Sequence, residues 1–194
     1  MPKLIDHDAR QQEIAEAVWR LILREGVGAV SIREVAAEAG LSTGSVRHVF
    51  PSKSALLGYS MRLVHERAAE RAASHVDVTE VRKSALAILC EFLPLDDLRR
   101  CEMLVNLALI AESPGDPELG AIAADAQIAF RTGCTNIVRG LSGSGLVAAG
   151  RDLSVEAARL HALVDGLAMH ALVGGGDTPE SAVAVLEAHI DSLA

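Results

Sequence analysis

A chain of 194 residues, half of them hydrophobic, is long enough to bury a core in one or two small domains and too apolar to stay disordered. Aromatic residues make up only 3%, so the core must come from Ala, Leu, Val and Ile, and stretches rich in Ala, Leu, Glu and Arg without β-type alternation predict an all-α fold. The net charge of −8 argues against a nucleic-acid partner until it is divided: up to His75 there are ten Lys/Arg and nine Asp/Glu, beyond it eight and seventeen. A near-neutral N-terminal part with local basic clusters can approach phosphates where the acidic remainder would be repelled, so two jobs on one chain are expected.

The first helix is expected from about Asp8 to Glu25, with Ile14, Val18, Leu21 and Ile22 at helical spacing and Gly26-Val27-Gly28 ending it. Ser31-Ile32-Arg33-Glu34 has the form of a capping box and opens a short helix that buries Ile32, Val35, Ala36 and Ala39. Gly40 supplies the turn, and Ser42 caps a third helix that ends around Phe50 before Pro51. Ser52 caps a fourth helix from about Lys53 to Ser74, whose second half reads as a solvated connector.

Beyond Asp77, helices are expected from Val81 to Leu93, from just after Asp96 or Asp97 through Ile110, from Pro117 to about Arg139, from Ser154 to near Val173 and from Thr178 through Ile190. Gly140 to Gly150 reads as a loop, and Gly174-Gly175-Gly176 as a helix breaker. That makes about nine helices: a three-helix head over residues 1–52 and a helical body over residues 53–194, joined through the helix of about 53–74. No stretch reaches the roughly 18 consecutive apolar residues of a membrane span, and Met1 to Asp8 lacks the apolar run of a secretory signal, so a cytoplasmic protein without membrane contact is expected. Cys90, Cys101 and Cys134, odd in number and without CxxC spacing, are expected as reduced thiols.

Two short helices meeting at a glycine are what a helix-turn-helix requires. Ser42, Thr43, Gly44 and Ser45 are short, which lets the start of the second helix approach a major groove, while Arg47 and His48 add donors. Lys53 and Ser31 sit where helix starts suit phosphate contacts, and Arg33 adds a cation beside Ser31. Spacing alone leaves open an ordinary helical hairpin whose serines are only caps.

The stretch Gly28 to Leu57, with its long preceding helix, Ala39-Gly40 turn, Gly44, Phe50 and Lys53, resembles the TetR family of bacterial transcriptional regulators. The resemblance implies a DNA-binding head on a ligand-binding, dimerising body, with Ser31, Ser42, Thr43, Gly44, Ser45, Arg47, His48 and Lys53 facing operator DNA, and Arg33 is counted as a candidate beside them. Two departures are visible: the family often has Tyr at the position of Arg47, and His or Tyr at that of Val49. Ala158 to Leu172 is similar, more weakly, to the BetI-type body of that family.

In the body, Met103, Asn106, Leu107, Ile110, Gln127, Phe130, Arg131 and Cys134 form a stripe with three polar members, as a mostly apolar effector cavity would need. Such a stripe is more often plain core. His161 and Asp165, four apart on one helix face, suit a hydrogen-bonded pair at a pocket or interface better than a metal site, since a third ligand is missing from the pattern. No hydrolase, metalloprotease, P-loop or dinucleotide-binding motif is present, and no cofactor or catalysis is expected. The last two helices carry Leu160, Leu163, Val164, Leu167, Ala171, Val183, Leu186 and Ile190, a stripe that would suit a four-helix dimer interface. The resulting expectation is a homodimeric repressor of a palindromic operator, released by a small-molecule effector. Two readings stay open beside it: a regulator whose body only dimerises or binds a protein, and a helical enzyme or adaptor that never meets DNA.

Overall fold

The computed structural model describes residues 7–173 and 178–194, and among these the chain is helical with no strand. The helices are α1 (His7–Glu25), α2 (Ile32–Glu38), α3 (Thr43–Val49), α4 (Lys53–Ser74), α5 (Val81–Cys90), α6 (Asp97–Glu112), α7 (Pro117–Gly143), α8 (Leu153–Val173) and α9 (Pro179–Asp191). The expected breaker Gly174–Gly176 and the start of the chain to Asp6 lie outside the described residues.

Most starts of helices follow the capping signals, although α5 begins after Glu80 without a side-chain cap and α8 is capped by Asp152 and begins at Leu153, not at Ser154. Ser31 Oγ accepts from Glu34 N, Ser42 Oγ from Ser45 N and Ser52 Oγ from Ala55 N. Asp116 Oδ1 accepts from Glu118 N and Leu119 N ahead of Pro117, and Thr178 forms a reciprocal capping box with Ser181. At α2 only half of the expected box forms, because the Glu34 carboxylate is held by Arg33 at 2.7 Å.

Packing divides the chain into two compact units, Met1–Glu66 with Leu104–Ala124, and Arg67–Met103 with Asp125–Ala194. Helices α4, α6 and α7 each contribute residues to both. The first unit has its core around Ile14, Val18, Val35, Val46, Leu56, Met61, Val105, Leu109 and Leu119, and Trp19 Nε1 donates to Ser60 O across it. It therefore contains the three-helix head together with the first half of α4, the end of α6 and the start of α7. Ser54 Oγ donates to Asp116 Oδ2 at 2.6 Å, and His65 Nε2 meets Asn106 Oδ1 at 2.9 Å. An added Cβ at Gly58 would lie 3.0 Å from Ile122 Cδ1, so α4 and α7 approach closely there.

The second unit packs Leu89, Leu93, Cys134, Val138, Leu141, Leu160, Val164, Leu186 and Ile190. Three sequence expectations change here. The second half of α4 is not a bare connector: Ala72 is buried, and Arg71 is 2.9 Å from Glu91 Oε2 and 2.7 Å from the buried Glu102 Oε2. Helix α7 does not stop near Arg139 but runs through Gly140 to Gly143, held by Val138 and Leu141 in the core. It closes at Gly145, whose φ of +73° allows Leu146 N to reach back to Leu141 O. Helix α5 ends at Cys90, earlier than Leu93.

The apolar stripe read as a dimer seam is also used differently. Leu160, Val164, Leu186 and Ile190 are buried in this chain's own core, where α8 packs on α9. Leu186→Ala should therefore cost about 2–5 kcal/mol in folding stability, against about 0.5 kcal/mol or less for Val78→Ala, a residue 83% exposed. Chemical denaturation at one fixed protein concentration checks the difference.

Candidate nucleic-acid interface

The site is built on a short turn. At the end of α2, Leu41 N donates to Ala36 O at 2.8 Å and Gly40 N to Ala37 O at 3.2 Å, a Schellman closure with Gly40 at φ +66°. Only glycine takes that backbone conformation without a side-chain penalty. The chain then re-enters a helix two residues later, at Ser42, whose extended backbone and hydroxyl cap α3.

Helix α3 has one buried anchor, Val46, while Val49 packs at its edge. Phe50 ends the helix, is buried and stacks at a tilt on Tyr59 with ring centroids 5.3 Å apart. With this side turned inward, Ser42, Thr43, Gly44, Ser45, Arg47 and His48 are all exposed on the other. Lys53, in the first turn of α4, and Arg33, in α2, are exposed as well, and Ser31 is half-buried. The nine residues that sequence reasoning selected thus fall within one compact unit, eight of them exposed.

Charge pairing separates the cations of this unit. Arg20 Nε and Arg24 Nη2 both hold Glu38, at 2.7 and 3.0 Å, which ties α1 to α2 and keeps the Glu38 carboxyl below its ordinary value. Arg33 is paired with Glu34, but in the open. Arg47 and Lys53 enter none of the ion pairs formed among the described residues. Gly44 is unusual in another way. It has no positive φ, and an added Cβ would meet nothing closer than Ser42 Oγ at 3.7 Å, so the fold does not require glycine there. A helical glycine costs about 1 kcal/mol relative to alanine.

The effector stripe is divided. Met103, Phe130 and Cys134 pack in the core of the second unit, where Phe130 lies 4.5 Å from Phe92 and 4.9 Å, edge-on, from His161 (centroid distances). Burial pushes the Cys134 thiol up to about 12, and the other two cysteines are free. Asn106, Leu107 and Ile110 belong to the first unit, with Asn106 bonded to His65; Gln127 and Arg131 are exposed. His161 is buried at 6% exposure, and its Nε2 lies 3.3 Å from Asp165 Oδ2 without forming a hydrogen bond. Burial raises the Asp165 carboxyl above its ordinary value, against the pull of His161.

Residues 14–59 match the family of bacterial regulatory proteins designated tetR, and residues 81–194 match the C-terminal part of BetI-type transcriptional repressors. The chain belongs to the TetR family. The HTH-type transcriptional regulator PksA of Bacillus subtilis is 38% identical over 175 residues, covering 89% of this chain and 83% of that protein. Among solved structures, a transcriptional regulator from Rhodococcus superposes with a TM-score of 0.82 at 27% identity, covering 94% of this chain and 95% of that one. Another, from Saccharomonospora viridis in complex with choline, superposes with a TM-score of 0.83 at 28% identity, covering 95% and 96%. This TetR-family chain is accordingly a DNA-binding regulator of transcription of the BetI type, not an enzyme. No helix among its described residues is long and apolar enough to cross a membrane.

Sequence reasoning passed over Trp19, whose indole donor signals a buried partner, and His7 and Arg10, which line a groove against α3. No local pattern marks these last two, because the α1–α3 approach is a tertiary contact. Replacing the cap of α3, Ser42→Ala, should cost about 1 kcal/mol of stability, whereas Ser42→Gly should cost only a few tenths. Denaturant titration of the purified protein reads both.

Proposed function

We propose that the chain is a homodimeric repressor in which the exposed side of α3 reads a palindromic operator and a small molecule in the second unit releases it. The observation that carries the DNA-facing assignment is the exposed row Ser42–Ser45, Arg47 and His48 with Lys53 beyond it. It combines cations that no carboxylate of the described residues occupies with a glycine the fold does not need. Gly44 leaves the backbone low enough to approach a groove, as a recognition helix does at its start. Arg47 is matched to a guanine edge or a phosphate, and Lys53, Ser31 and Arg33 to phosphates. The functional division lies near residue 52, with residues 53–194 as the body.

The dimer is formed by the faces of α8 and α9 left outside the core. Val155, Met169, Val173 and Val185 are exposed there at 43, 44, 78 and 47%. Packing these rows against their copies would bury them and set two heads about one helical turn of DNA apart, or a multiple of it.

The effector is held around His161, Phe130, Phe92 and Met103. A buried imidazole nitrogen without a hydrogen bond is costly and supports a guest that supplies one. The similar Saccharomonospora protein is complexed with choline, but this body is a poor host for a quaternary ammonium ion. The single Trp and single Tyr, Trp19 and Tyr59, both lie in the first unit, which leaves the second unit only the phenyl rings of Phe92 and Phe130. Cation–π binding is best served by Trp and Tyr. The effector is therefore an uncharged or weakly polar molecule with a group that pairs with the His161 nitrogen. It releases DNA by favouring the conformer whose heads do not match the groove spacing.

Operator binding is tested on a duplex selected from random DNA. Arg47→Ala with Lys53→Ala should weaken binding and flatten its salt dependence by about one for each phosphate no longer neutralised. Unchanged affinity and slope would remove these residues from the interface. Choline added to the same assay should not release the duplex; release would contradict the effector assignment.

A further inference from the structure

We propose that the first turn of α1 is part of the DNA interface, with Arg10 and His7 binding the sugar–phosphate strand that runs beside the recognition helix. The proposal rests on the assignment of α3 to DNA and extends it to an element outside the helix-turn-helix.

Within the first unit, a groove of about 560 Å³ separates His7 and Arg10 on α1 from Ser42, Gly44, Ser45 and His48 on the start and outer side of α3. One wall is thus the row already assigned to DNA, so a strand lying against α3 meets the other wall without any rearrangement of the fold. The ionisable residues that line it are Arg10, His7 and His48, with no carboxylate among them. Of the acidic groups on the same turns, Asp8 and Glu13 do not line the groove.

Arg10 does have a partner, Glu13 Oε2, at 2.8 Å. Both side chains are partly solvated, at 29 and 49% exposure, and they stand three residues apart on one helix. An exposed pair of that kind contributes little and exchanges readily for a phosphate. The supply of cations makes this matter. In a chain of net charge −8, Arg20 and Arg24 are committed to Glu38. An Arg on the rim of the recognition helix is then one of few that can neutralise a phosphate, and a phosphate contact fixes register without reading sequence.

The experiment measures affinity for the selected operator duplex by fluorescence anisotropy across a salt series, with wild type, Arg10→Ala, Arg10→Gln, Arg10→Lys, His7→Ala and Lys53→Ala. Arg10→Ala and Arg10→Gln should each lower the salt slope by about one for each protomer bound. Base preference should stay unchanged, Arg10→Lys should restore the slope, and His7→Ala should weaken binding by less. Two outcomes overturn the proposal while leaving α3 in place: Arg10 variants with the wild-type slope where Lys53→Ala loses its share, or Arg10→Lys as weak as Arg10→Ala with no change of slope. Failure of the wild type to select any duplex overturns the assignment of α3, and this one with it.

Discussion

Seven residues are too few to be helical alone, and α3 is a helix only because its surroundings hold it. One turn before it, Gly40 adopts the left-handed backbone that lets α2 close on Ala36 and Ala37. Ser42 accepts from the Ser45 amide in the first turn of α3, Val46 pins its inner side, and Phe50 stacks on Tyr59 at its end. The geometry that could present a helix to DNA is therefore made by local caps and two buried side chains. This explains why the outer side needs no internal contacts and can be given over to small and basic residues.

Electrostatics divides the first unit in the same manner. Glu38 collects Arg20 and Arg24 and so welds α2 to α1, while Arg47 and Lys53 are left to solvent. In the second unit the corresponding weld is Arg71 between Glu91 and the buried Glu102. A buried carboxylate of that kind is tolerable only because a guanidinium meets it with two hydrogen bonds. Arg71 lies on α4, a helix that supplies residues to both units. Helix α4 is thus fixed by charge near its end and by Ser54 and Gly58 near its start.

Five starts of helices were legible because a cap is a local device: Ser42, Ser52, Asp116 and Thr178 cap as the pattern predicts, and Ser31 makes its half of the expected box. The end of α7 was not, since two glycines at 140 and 143 look like a loop until Val138 and Leu141 are seen in the core. Ion pairs such as Arg71 with Glu102 join residues 31 apart and leave no local signature. Helical periodicity showed which faces of α8 and α9 are apolar, but it does not distinguish a chain's own core from a partner's surface. The same limit applies to the effector stripe: spacing on α6 placed Met103 with Asn106, Leu107 and Ile110, although the two sides of residue 104 belong to different units. Motif residues on the helix-turn-helix were readable by resemblance, whereas His7 and Arg10 required the packing of α1 on α3.

The proposed mode of regulation requires two copies of α3 to read DNA together. Selection of bound duplexes from random DNA, followed by footprinting of the enriched sequence, measures that most directly. The predicted result is a near-palindrome protected at two half-sites whose centres lie about one helical turn, ~34 Å, or a multiple apart. An enriched site without two-fold symmetry, or no enrichment at all, would contradict it.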